Sequence, residues 1–158
     1  MNRKAFQDYY PDEVSHCYGC GRLNEHGLGL KSYWDGEDSV ATFKPQPYHT
    51  AIPGYVYGGV LASVIDCHCT ATAAAATYRA EGREMNTLPA IRFLTASLHV
   101  DYVRPTPLGT PLEVRGKVKR SEGRKVVVVA TISAAGEVCV RGEVVAVRVP
   151  KNWMPNNA

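Results

Sequence analysis

Hydrophobic and polar positions alternate with period two through the last third of the chain. Thr95 to Arg104 places Ala96, Leu98, Val100 and Tyr102 on one face and Ser97, His99 and Asp101 on the other, the pattern of a strand. Leu112 to Arg120 sets Leu112, Val114 and Val118 against Glu113, Arg115, Lys117 and Lys119. Lys125 to Ser133 reads as a strongly apolar strand and Val138 to Val149 as the last one, with turns at Ser121-Glu122-Gly123 and Ala135-Gly136. Two earlier strands, Leu28 to Trp34 and Ser39 to Lys44, flank a turn at Asp35-Gly36. Between these sets the period disappears. From Gly58 to about Arg79 no proline and no glycine beyond Gly59 interrupts, and the stretch is apolar on nearly every side with an alanine-rich second half. It predicts one long buried helix rather than an amphipathic one.

Two strands, one long helix and four strands in meander predict an α+β domain, in which an antiparallel sheet of five to six strands wraps the helix. The 158 residues suit a single core. Residues 1–27, polar and broken by Pro11, Gly19, Gly21 and Gly27, read as an irregular N-terminal arm, 28–150 as the domain and 151–158 as a frayed tail. A net charge of +3 is too small for a general nucleic-acid binder. No apolar run of about 18 residues is read as a membrane span, and the first ten residues carry Arg3, Lys4 and Asp8 without an apolar core. Five cysteines, an odd count, leave a complete disulfide set impossible. The expectation is a soluble cytoplasmic protein with reduced thiols.

Asp66 is the most informative residue. It lies mid-helix on the face shared by Gly59, Ser63 and Thr70, too far in to cap the helix or complement its dipole. A buried carboxylate needs a partner, a ligand or a catalytic role; the alternative is a structural carboxylate bonded to backbone or to a subunit neighbour. Ahead of it, Pro53-Gly54-Tyr55-Val56-Tyr57-Gly58-Gly59 opens the helix on a glycine pair. Free N–H groups there can polarise a carbonyl oxygen, although a tight turn alone also calls for glycine.

The run Gly54-x-x-Tyr57-Gly58-Gly59-Val60-Leu61-Ala62-x-x-x-Asp66 resembles the signature of hot-dog-fold acyl-CoA thioesterases of the PaaI-like, phenylacetic-acid-pathway type. Ser97 to Pro105 resembles the strand after the helix in that family, and Cys17-Tyr18-Gly19-Cys20-Gly21 with Asn24 and Gly27-Leu28-Gly29-Leu30 resembles a leader of one branch. The resemblance covers residues 16 to 149. It implies a hot-dog dimer, often paired into a tetramer, with sites at the subunit interface. It implies hydrolysis of an acyl-CoA thioester, with coenzyme A as part of the substrate and no other cofactor. Asp66 would act as general base or nucleophile, the N–H groups of Gly58 or Gly59 would polarise the carbonyl, and Thr95 would orient the water. Two features depart from the pattern: Tyr57 stands where the family has histidine, and Cys67-His68-Cys69 follows the acid.

Of the remaining candidates, His49 with Asp66 matches the histidine–acid pairing of hot-dog hydratases and dehydratases, the competing enzymatic reading. A non-catalytic acyl-CoA binding protein is the third, supported by Tyr57. Tyr57 and Ser63 are expected at the substrate, and Arg104, Arg120, Arg124 and Lys125 are the cations available for the phosphates of coenzyme A. His68, two residues from Asp66, is expected to point elsewhere. Tyr48, Tyr55 and Phe93 are further candidates for the pocket wall. Cys17 and Cys20 form a Cys-x-x-Cys without a second pair at zinc spacing, and Cys67 and Cys69 lie about 200° apart on a helix. No metal is therefore expected, and Cys139 is assigned to the core.

Overall fold

The computed structural model describes residues 3–154. Strands β1 (Ser32–Asp35) and β2 (Asp38–Phe43) form a hairpin, and α1 (Gly58–Ala80) follows. Four more strands complete the domain: β3 (Phe93–Tyr102), β4 (Leu112–Glu122), β5 (Lys125–Ala134) and β6 (Glu137–Arg148). All six belong to one sheet of order β1-β2-β4-β5-β6-β3, with every pair antiparallel. One helix lying against such a sheet is the hot-dog fold.

The expected meander holds only for β4, β5 and β6. Strand β3 does not pair with β4; it crosses to the far edge and pairs with β6, with Leu98 opposite Val144, and residues 103–111 return the chain to the centre. Alternation records that a strand has two faces, not which strand lies beside it. The β5–β6 turn shows why a two-residue link suffices. Ala135 (φ 49°) and Gly136 (φ 81°) both take the left-handed conformation, whose twist matches that of the flanking strands.

Helix α1, about 34 Å long at 1.5 Å per residue, packs on β3, β4, β5 and β6. Val60, Leu61, Val64 and Ile65 meet Leu112, Val114, Val128, Ile132, Val140 and Val144 in one core. A side chain at Gly142 would place its Cβ 2.4 Å from Ile65 Cγ2, so glycine sets the closeness of helix and sheet there. By length and composition α1 is long and apolar enough to cross a membrane, contrary to the sequence reading; 67% of that stretch is buried within the protein.

His68 turns away from Asp66, into the core. Its Nδ1 and Nε2 each stand 2.9 Å from a serine hydroxyl, Ser32 and Ser39 respectively. Ser39 Oγ also contacts Thr72 Oγ1 at 2.6 Å, and the Gln7 Oε1 accepts the Ser32 N–H at 2.9 Å. Every polar atom brought into this part of the core thereby finds a partner, which burial demands.

The arm contains two 3₁₀ turns, Phe6–Tyr9 and Asp12–Val14. It lies against the domain: Phe6 meets the Trp34 ring edge-on at 5.1 Å and packs on Ala71 and Ala75. The first part of the expected frayed tail forms a further 3₁₀ turn, Lys151–Trp153; positions 155–158 lie outside the described residues.

Candidate active site

Asp66 occupies the middle of α1, where small neighbours leave its carboxylate room. It is half-buried rather than enclosed, because it borders a cavity of about 610 Å³. Ser63 and Thr70, on the same face, turn their hydroxyls back to the carbonyls one turn earlier, Ser63 to Gly59 and Thr70 to Asp66. Ser63 therefore has its proton engaged within the helix. Thr95 donates its hydroxyl proton to Asp66 Oδ1. It stands beside a bulge in β3, where the register against β6 shifts between Thr95 and Ser97. Bulges re-aim side chains, and this one accompanies the meeting of Thr95 with the helix carboxylate.

Phe93, Leu94, Ala71, Ala74 and Trp153 supply apolar wall to the cavity, while Asp66, Thr95 and Arg92 supply polar groups. Arg92 was not among the residues expected from sequence. It is 9% exposed, donates from Nη2 to Asn86 Oδ1 at 2.6 Å and from Nη1 to the Ile91 carbonyl, and lies over the Tyr10 ring. Its Nε has no partner, and no carboxylate pairs with it among the described residues. A lone charge inside Ala90-Ile91-Arg92-Phe93-Leu94 was the available signal.

Three thiols share the cavity wall. Cys17, Cys20 and Cys67 place their sulfurs within 4.8 Å of one another. The Cys17 and Cys67 sulfurs stand 3.6 Å apart, and hydrogen bonding with Cys20 and Cys67 lowers the Cys17 pKa from its ordinary value. Donation to Cys17 pushes the Cys20 thiol up to about 12 and raises Cys67 as well. Cys69 and Cys139 are buried outside this group.

The glycine turn forms a separate feature. Gly58 and Gly59 begin α1, and their N–H groups make no hydrogen bond among the described residues; the first amides of a helix have no partner within it. The Tyr57 ring folds over Gly59, where a Cβ would stand 2.4 Å from its Cε1. Tyr102, at the end of β3, donates its hydroxyl to the Gly58 carbonyl at 2.7 Å. Tyr102 thus joins the residues not anticipated, brought here only by the crossover of β3.

The other candidates do not gather at Asp66 within one chain. His49 stacks on Phe43 at 5.7 Å, accepts the Gln46 N–H at Nδ1, and touches neither Asp66 nor its cavity; burial lowers its pKa. Tyr48, Tyr55 and Tyr57 are exposed and away from the cavity, whereas Phe93 lines it. Arg104 pairs with Glu137 and Arg120 with Glu122, while Arg124 donates to the Arg148 carbonyl; with Lys125 they lie outside the cavity wall.

Fold and site together define a hot-dog domain with a carboxylate on its central helix. A model of the Thioesterase superfamily matches residues 53–141, more than half of the chain and the whole glycine–aspartate segment. The chain belongs to that family. A thioesterase superfamily protein of Shewanella loihica PV-4, solved by crystallography, is 48% identical; the match covers 89% of this chain and all of that one, with a TM-score of 0.67. The PaaI protein of the E. coli phenylacetic acid degradation operon shares the fold at 15% identity, over 78% of this chain and 81% of its own, with a TM-score of 0.63. Among curated proteins, acyl-coenzyme A thioesterase THEM4 of Xenopus laevis is 39% identical over 87 residues, 55% of this chain and 33% of that protein. The chain spans 33% to 57% of the length of the frog and rat THEM4 proteins.

Proposed function

We propose that the protein hydrolyses acyl-CoA thioesters, with Asp66 as the group that activates water or attacks directly. The observation that carries this reading is the half-buried Asp66 carboxylate, held by Thr95 at a largely apolar cavity on a thioesterase-family helix. As base, Asp66 takes a proton from water while the oxygen attacks the thioester carbon. The carbonyl oxygen gains charge, the carbon–sulfur bond breaks, and the departing sulfur takes up a proton. General-base help of this kind is worth roughly 10²–10⁴-fold.

The Gly58 and Gly59 amides are suited to the developing oxyanion, but seven to eight residues of helix put them about 10–12 Å from Asp66. A carbonyl on these amides is out of reach of a water on the same chain's Asp66. Two chains resolve this if the glycine turn of one protomer faces Asp66 of its partner. The edge strand β3 supports such pairing, since Leu94, Leu98 and Tyr102 are 55%, 40% and 52% exposed on it. An open apolar edge invites another strand. Coenzyme A, with its phosphates, then requires exposed cations, and Arg104, Arg120, Arg124 and Lys125 are exposed on the surface outside the cavity wall.

Release of free thiol from short, long and aromatic acyl-CoAs tests the reading. Turnover by the parent that falls at least 100-fold in Asp66→Ala, with the fold intact, is expected. Retention of activity in that variant, or binding of acyl-CoA without turnover by the parent, would overturn it.

A further inference from the structure

Two distant parts of the chain bring three sulfurs to one point. Cys17 and Cys20 come from the arm loop Cys17-Tyr18-Gly19-Cys20-Gly21, and Cys67 from mid-helix, one residue after Asp66. The Cys17 and Cys67 sulfurs stand 3.6 Å apart, and all three lie within 4.8 Å of one another. Around a tetrahedral zinc ion with Zn–S bonds of about 2.3 Å, neighbouring sulfurs stand roughly 3.8 Å apart. Small side-chain rotations therefore bring the trio onto three corners of that tetrahedron.

The loop is shaped around the sulfurs. A Cβ at Gly19 would sit 2.2 Å from Cys67 Sγ, and one at Gly21 would sit 2.4 Å from the Cys17 nitrogen. Gly21 N–H donates to the Cys17 carbonyl at 2.7 Å, while Leu28 and Leu30 N–H groups tie down the carbonyls of Tyr18 and Gly19. Cysteines serving only as small apolar side chains need none of this, as Cys69 and Cys139 show, each buried outside the cluster.

We propose that Cys17, Cys20 and Cys67 form a three-thiolate site for one zinc ion. Soft sulfur ligands favour such a cation over magnesium or calcium. No fourth histidine, cysteine or acidic atom joins the group among the described residues, so water or a small donor from the cavity takes the remaining position. Each thiol that ligates passes its proton to solvent and no electron moves. The ion would pin the arm to α1 beside Asp66, fixing one wall of the cavity.

Cobalt(II) is the probe. The full chain, reduced, stripped with a chelator and kept anaerobic, is titrated with cobalt. A thiolate-to-cobalt charge-transfer band and tetrahedral visible bands saturating at one equivalent, and displaced by zinc, are expected. Cys20→Ser should lose most of the charge-transfer intensity and Cys139→Ser should keep it, with circular dichroism checking the fold. Zinc should raise the Tm of the parent and not that of Cys20→Ser. The parent spectrum decides even if a variant fails to fold. Absence of the charge-transfer band in the parent would overturn the proposal. So would its persistence in Cys20→Ser, or a parent that holds no metal and instead forms a Cys17–Cys67 disulfide. None of these readouts depends on thioester turnover, so the metal site and the proposed activity fail or stand separately.

Discussion

Acidification from pH 7 to pH 4 should cost the fold about 3 kcal/mol through His68 alone, by linkage of its two pKa values. The imidazole is fully buried, and both ring nitrogens face serine hydroxyls rather than carboxylates. Burial disfavours the charged ring and lowers its pKa from 6.5 to about 4. The unfolded chain takes up this proton as pH falls through 6.5, while the folded protein refuses it until about 4. Within that window the unfolded state binds more protons, so stability is complete above 6.5 and declines towards 4. The slope reaches about 1.4 kcal/mol per pH unit, and the total corresponds to a fall in Tm of roughly 6–12 °C for a domain of this size. His49, lowered by burial, acts with the same sign. Asp8, Glu81 and Glu143, lowered below the ordinary carboxylate values, lose their contributions as pH falls further. Urea unfolding of the parent and His68→Gln across this range isolates the imidazole, since the other groups are common to both. The difference in stability between them should shrink as pH falls. Parallel pH profiles, or an NMR titration of His68 near 6.5, would refute the reasoning.

Gly142→Ala places a methyl against Ile65 Cγ2 where helix and sheet are closest. It should destabilise by about 1–3 kcal/mol, as overpacking does, read as a lower urea midpoint; an unchanged midpoint would show that the helix can withdraw. Thr95→Val removes the donor to Asp66. A hydrogen bond to a charged group is worth about 1.5–3 kcal/mol, so kcat should fall roughly 10- to 100-fold with little change in KM, and Thr95→Ser should restore most of it. Equal loss in the serine and valine variants would assign Thr95 to packing instead.

The residues on which the proposed site rests are close in sequence. Gly58, Gly59 and Asp66 lie within ten residues, although the helix holds the glycine amides about 10–12 Å from Asp66 of the same chain. Arg92 carried a weaker signal, a charge in an apolar run, that spacing rules do not read. Tyr102 and Cys67 carried no signal of the groups they meet. Their partners, the Gly58 carbonyl and the Cys17–Cys20 loop, lie 44 and about 50 positions away, and no periodicity reports such a distance.

The chain by itself determined the number and kind of elements. Strand alternation, turn residues and one long apolar stretch depend on backbone geometry and on burial of one face or all faces, and these act over a few residues. Only the tertiary structure decided that β3 leaves its sequence neighbour for the edge beside β6. It alone brought Thr95 to Asp66, His68 into a hydroxyl-lined pocket and Cys67 under the arm. Those outcomes depend on which surfaces meet across the core, and similar local patterns are compatible with several ways of bringing them together.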